Sequence, residues 1–289
     1  DVEALLQLHA RTRTQPARVA EQIEARQAEL DALVLDIYEV ADGAAQKLEF
    51  TGDDFIYRAP LDVEQFHGVK LPGVAGFRIN YPLNRPEVSD ELISFLGSSY
   101  FRALGQNNLY GLSARGLAVN TATSQGEEFP RFSAFYIMRP GTENDKITVF
   151  AALDGPSVTG AYRFVITPGK NTRMDVTARL FFRNDIERLG VAPMTSMFLF
   201  GPANHHAFDD YRERVHDSEG LKIVRADGTE LWRNLQNAKT LANSFFGETN
   251  PRAFGLYQRH RAFEDYQDAE AHYERRPSLL VEPVGNWGK

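Results

Sequence analysis

Imidazoles and carboxylates crowd into "HHAFDDYRERVHD", where His205, His206, Asp209, Asp210, His216 and Asp217 fall within thirteen positions. Such groups can hold a divalent metal or move protons, because neutral imidazole and carboxylate both present lone pairs. The pairs are adjacent rather than one helical turn apart, so they lack the one-face geometry of helical metal sites. A polar loop is the expected reading, and no metal is assigned. Asp217 differs from its neighbours in one respect. "VHDSEGLKIV" runs from a charged loop into an apolar strand, which puts that carboxylate at a strand entrance, where loops build clefts. On residue type alone it is one acid among many.

A second stretch, "QRHRAFEDYQDAEAHYERRPSLLVEP" from Gln258 to Pro283, interleaves acids and arginines with rings at Phe263, Tyr266 and Tyr273. That mixture suits a polyhydroxylated ligand, whose C–H faces stack on rings and whose hydroxyls bond carboxylates and guanidinium forks. It equally suits a solvated loop or helix face. Arg276, before Pro277, has a structural alternative as ion-pair partner of Glu274 or Asp268. In "QGEEFPRFSAFYI", Glu127, Glu128 and Arg131 stand beside Phe129, Phe132 and Phe135. Rings 129 and 135 are an even number of steps apart and would share a strand face, either as a sugar platform or, more commonly, as core. No phosphate-binding glycine loop, His-Glu-x-x-His or Gly-x-Ser-x-Gly occurs, and "GLSARG" at 111–116 has the wrong spacing for a nucleophile elbow.

These residues need elements to hold them. "ARVAEQIEARQAELDALV" at 17–34 has helical periodicity after Pro16, and the preceding "DVEALLQLHARTRT" suggests a shorter helix. From Leu35 onward, "KITVFAAL", "AYRFVITPG" and "MDVTARLFF" alternate as half-buried strands. Asp42-Gly43 and Asp227-Gly228, each between apolar flanks, predict hairpins. Many turn-separated strands indicate an all-β chain built as a large β-sandwich, with short helices such as "DELISFLGSSYF". The expected division is a helical segment at 1–34 and one sandwich domain at 35–289.

Composition narrows the partners. The chain is 43% hydrophobic and 25% charged, with formal net charge -7, so it can bury a sizeable core but carries no basic footprint for nucleic acid. No apolar run approaches bilayer thickness, so membrane insertion is not expected. The absence of cysteine excludes thiolate chemistry and disulfides. A start at Asp1 rather than Met fits a removed signal peptide or a fragment.

Ordered blocks carry a resemblance. "GFRINYPLN", "FLGSSYFRALG", "YGLSARGLAVNTA", "GEEFPRF", "LDGPSVTGAYRF", "LGVAPMTSMFLFG", "HDSEGL", "NPRAFGLYQRHRAF" and "YERRPSLLVEPVGNWGK" run collinearly from about Leu35 to Lys289. Together they resemble the osmoregulated periplasmic glucan biosynthesis proteins G and D. The resemblance implies a periplasmic protein acting on a β-1,2-linked glucan, with a β-sandwich similar to galactose mutarotases and a following immunoglobulin-like domain beyond this chain. Its members include inverting β-1,2-glucanases and transglycosylases, and others required for glucan synthesis. Inversion needs two carboxyl groups, typically ~6.5–9.5 Å apart. The aspartate of the "HDS" block, Asp217 here, matches the general base, which in this family works through a water and a substrate hydroxyl. The matching general acid lies downstream of a "WGKG" block, whereas this chain ends at "WGK". The 17–34 helix stands where the family carries strands and a "QFFH" stretch.

His216, Asp268, Tyr273, Arg276, Glu127 and Phe129 are the expected glucan-contacting residues. No cofactor is expected, and a homodimer is a candidate assembly. Three functions compete: a glycoside hydrolase or transglycosylase, a glucan-binding accessory protein, and a sandwich without sugar chemistry. Glucan-induced change in Trp232 or Trp287 emission would argue against the last.

Overall fold

The structure, a computed structural model, describes residues 35–57, 62–141, 145–196 and 198–288. The helices expected at 1–34 lie outside the described residues. Period-two alternation governs the strands: Val149, Ala151 and Leu153 are buried in turn along one strand, and Tyr162, Phe164 and Ile166 along the next. Side chains between them point to the opposite face.

Strands β1 (Asp36–Ala41) and β2 (Ala44–Lys47) form the first hairpin. Asp42 and Gly43 are both left-handed, φ 52° and 78°, the conformation for which an Asp-Gly turn is suited. β3 (Gly76–Arg85), β4 (Val88–Leu96), β5 (Tyr100–Ala103) and β6 (Ser113–Arg115) then run as antiparallel neighbours. After β7 (Leu117–Val119), a second meander follows: β8 (Arg131–Met138), β9 (Ile147–Asp154), β10 (Val158–Thr167) and β11 (Arg173–Phe182). β12 (Leu189–Val191) pairs with β7, and β13 (Met194–Thr195) pairs with β6. β14 (Gly220–Val224), β15 (Glu230–Asn234), β16 (Ala253–Tyr257) and β17 (Leu279–Val281) make a separate four-stranded sheet. Gly228 is left-handed in the β14–β15 turn, so the second Asp-Gly hairpin also forms.

A six-stranded sheet, β11-β10-β9-β8-β1-β2, packs on a five-stranded one, β13-β6-β5-β4-β3. β1 joins β8 in parallel. The sheets interlock through rings: Phe95 lies 5.0 Å from Phe135 and 5.3 Å from Phe164, and Phe77 lies 4.9 Å from Phe135. This is the β-sandwich expected from the sequence. Among the described residues every helix is a 3₁₀ turn of three or four residues. None is long and apolar enough to cross a membrane.

Two bulges overturn two sequence expectations. "DELISFLGSSYF" is not a helix: it forms β4 and the start of β5, joined by a turn in which Gly97 and Ser99 are left-handed. Ile79 pairs with Ile93 and Asn80 with Glu91, so Leu92 is the extra residue of a bulge. Leu92, Ile93 and Phe95 therefore all reach the core, a spacing that imitates a helix face. Likewise Phe132 pairs with Leu153 and Ala134 with Ala152, which inserts Ser133 as a bulge. Phe132 and Phe135 are consequently both buried, while Phe129, ahead of the strand, is 52% exposed. Rings 129 and 135 do not share a face.

The outer face of the five-stranded sheet mixes charged, polar and apolar side chains. Register aligns Arg78, Ser94 and Arg102 in one row and Leu96, Tyr100 and Arg115 in the next. A cavity of about 510 Å³ lies over this face, lined in part by Arg78, Glu91, Ser94, Tyr100, Arg102 and Tyr110. A groove of about 440 Å³ beside β1 and β2 shares none of these residues.

Candidate functional site

Asp217 sits three residues ahead of β14, at the strand entrance expected from the sequence. Its neighbours fix the backbone there. The Ser218 hydroxyl donates to the Ser196 carbonyl (3.2 Å). Glu219 accepts from the N–H groups of Arg259 (2.6 Å) and His260 (3.1 Å) and from the His260 ring. Burial works to raise the Glu219 pKa, but these bonds together hold it below the usual carboxylate range. His216, 1% exposed, is bonded through Nδ1 to the Gln258 side chain (2.8 Å). Residues on both sides of Asp217 are thus tied inward, and its carboxylate, 19% exposed, stays at the surface of the site.

Arg276, Arg102 and Tyr273 stand around that carboxylate, and Tyr110 lies against the two arginines. Arg276 Nε lies 3.6 Å from Asp217 Oδ1. The Arg276 guanidinium stands over the rings of Tyr110 (5.1 Å) and Tyr273 (5.2 Å), and Arg102 stands over Tyr110 at 4.1 Å. Arg102 also pairs with Glu91 (2.9 Å) on the sheet face. Burial pushes the Asp217 pKa up, and the charges of Arg276 and Arg102 offset part of that rise. Tyr273 is likewise raised, by burial first and then by Asp217 and Asp268. A carboxyl with a raised native pKa binds protons more tightly folded than unfolded. Its ionisation therefore costs stability as pH rises through the raised value. Asp217→Asn is expected to melt no lower than wild type at pH 7, with any advantage shrinking below the ordinary carboxylate range. A variant clearly less stable at neutral pH in a thermal melt would contradict this balance.

The other residues singled out from the sequence divide. Tyr273 and Arg276 join Asp217. The Arg276 ion pair is with Asp217, not with Glu274 or Asp268: Glu274 bonds His272 (2.9 Å), and Asp268 bonds Arg212. Asp268 also accepts from the N–H groups of Glu270 (3.0 Å) and Ala271 (2.7 Å), so it staples the loop behind Tyr273. His216 faces the interior, with its ring edge against Tyr266 (5.3 Å). Desolvation lowers its pKa to about 4, so the ring stays neutral. Glu127 pairs with buried Arg115 (2.7 Å), whose guanidinium lies between Phe129 (4.9 Å) and Tyr100 (5.2 Å). Tyr100 lines the cavity, so this cluster borders it.

In the histidine-rich stretch, the His205 ring bonds the Asp210 carbonyl (2.7 Å), while Arg212 takes the Asp210 carboxylate and draws its pKa down to about 2. Among the described residues no three His, Asp or Glu side chains converge on a metal-sized site. Trp232 packs under Arg259 (4.2 Å) and Trp287 against Phe254 (6.2 Å). Neither lines the cavity, so their emission is a poor reporter of it.

Sequence reasoning missed Arg102, Tyr110, Arg115 and Gln258. A usable signal existed for one of them. "NNLYGL" gathers turn formers, and Tyr110 adopts φ 53° with its ring 61% exposed, an uncommon conformation for a bulky residue. The loop it occupies is zipped to the other side of the cleft: Leu109 N–H donates to the Arg275 carbonyl (3.0 Å), and Gly111 lies against Pro277, where a Cβ would clash at 2.6 Å.

A sequence model described as "Periplasmic glucan biosynthesis protein, MdoG" matches residues 18–289. Curated relatives named "Glucans biosynthesis protein G" are 62% identical over 253 residues in Cereibacter sphaeroides, 56% over 216 in Vibrio cholerae and 49% over 252 in Ralstonia nicotianae. These alignments cover 88%, 75% and 87% of this chain, and 47%, 40% and 50% of the respective relatives. The chain spans half the length or less of these relatives.

Proposed function

Because the chain belongs to the periplasmic glucan biosynthesis family described as MdoG, we propose that it is periplasmic and acts on a β-1,2-linked glucan held across the outer face of the five-stranded sheet. The observation that carries the proposal is a part-buried Asp217 with raised pKa, set against Arg276 beside an aromatic-lined cavity that also carries Arg78, Glu91 and Arg102. Asp217 is the general base of an inverting hydrolysis or transglycosylation. It takes a proton from the attacking water, relayed by a substrate hydroxyl, while a separate acid protonates the leaving oxygen. By the resemblance, that acid is expected downstream of "WGK". Arg276 favours the ionised form of Asp217 and, with Arg102, offers guanidinium forks to sugar hydroxyls. Tyr110 and Phe129, both exposed, supply ring surface for C–H faces.

A second reading, a binding accessory that guides glucan without cleaving it, is favoured by one feature. The carboxylate that lines the cavity, Glu91, is held by Arg102. Incubation with linear β-1,2-glucan followed by product chromatography separates the two, with shorter or cyclised chains expected from the enzyme. Saturable calorimetric binding without product supports the accessory role, and absence of both product and binding removes the site.

Arg276→Met is expected to cost about 2 kcal/mol of stability, less than the roughly 3–5 kcal/mol of a fully buried pair. Without its main counter-ion Asp217 becomes harder to ionise, so the acidic limb of glucan turnover should move to higher pH. Urea unfolding and a pH–rate profile check the two parts, and an unmoved limb would separate Arg276 from the chemistry.

A further inference from the structure

The two halves of the Asp217–Arg276 pair come from segments about 60 residues apart, and one buried side chain joins them. Gln258 is 2% exposed. Its amide nitrogen donates to the carbonyls of His216 (3.0 Å) and Tyr273 (2.9 Å), and its Oε1 meets His216 Nδ1 at 2.8 Å. Two carbonyl acceptors leave the amide one orientation, so Oε1 must accept and His216 Nδ1 must carry the proton. His216 precedes Asp217 directly, and Tyr273 opens the turn that ends at Arg276.

We propose that Gln258 is the positioning residue of the site: it clamps the backbones on either side of the cleft and fixes His216 as the neutral Nδ1–H tautomer, which sets Asp217 against Arg276. The assignment rests on Asp217 as the working carboxylate. Around Asp217 stand Arg276, Arg102 and Tyr273; around His216 stand Glu219, Arg214 and Tyr266. A side chain filling the same space without an amide would leave the His216 Nδ1–H and the His216 carbonyl without the Gln258 partner in the interior, and the Tyr273 carbonyl with the Arg276 N–H alone (3.1 Å).

The test is spectroscopic and uses no sugar, so failure of glucan binding leaves it intact. In ¹⁵N imidazole spectra of the whole protein, His216 should show protonated Nδ1 and bare Nε2, unchanged between about pH 5.5 and 8. An Nε2–H tautomer, or protonation within that range, overturns the proposal. In Gln258→Met, the ¹³Cγ titration midpoint of Asp217 should move by about half a unit or more. Val149→Ala, a core change in the other sheet, should leave it in place. An unmoved midpoint in folded Gln258→Met also overturns the proposal. Where that variant does not fold, the wild-type His216 spectrum decides.

Discussion

Asp217→Asn should lower glucan turnover by about 10²–10⁴-fold, the usual contribution of a general base, while affinity for the same glucan changes little. Asparagine keeps the shape of the side chain and an oxygen facing Arg276, but it cannot take a proton from water at neutral pH. The loss should appear in kcat rather than KM, because the missing interaction forms only as the proton moves. Misfolding does not account for it, since the same substitution removes an ionisation that burial disfavours and is expected to leave the melt at pH 7 no lower. Initial rates of product release on linear β-1,2-glucan measure the effect. Equal rates in the two proteins would strip Asp217 of its catalytic role.

Phe95→Ala carries the largest expected stability loss, about 3–5 kcal/mol. Phe95 is essentially buried and touches rings in both sheets: Phe77 (5.2 Å) and Phe101 (6.0 Å) in its own, Phe135 (5.0 Å) and Phe164 (5.3 Å) across the core. Its removal opens a void that neighbouring strands cannot close without losing register. Its chain neighbours Ser94 and Leu96 line the cavity, so the loss should reach the site as well as the core. Urea midpoints give the magnitude. A loss below about 1 kcal/mol would mean that the sheets are not locked through this ring.

Strand alternation and Asp-Gly turns made most of the sandwich legible, because both are local signals. The misread helix at 90–101 shows where local pattern fails. A single inserted residue at Leu92 brought consecutive apolar side chains to one face, and only the partner strand reveals the bulge. Asp217 was readable as a strand-entrance acid from "VHDSEGLKIV", yet its electrostatic neighbours were not. Arg102 comes from β5, Tyr110 from the loop after it, and Arg276 from a turn near the end of the chain. Their meeting depends on sheet register and on the zipper between the 107–111 and 275–277 loops, which no short window contains. His216 and Asp268 have the residue types of a sugar site, but burial and satisfied hydrogen bonds turn them to holding loops.

The glucan is proposed to lie on the outer face of the five-stranded sheet with its reacting linkage at Asp217. The most direct measurement is a crystal structure of Asp217→Asn soaked with a linear β-1,2-gluco-oligosaccharide. Sugar density should run over Arg102 and Tyr110, with a hydroxyl or a bridging water bonded to the substituted side chain. Sugar seated elsewhere on the protein, with the cavity beside Arg276 empty at saturating ligand, would rule out that placement.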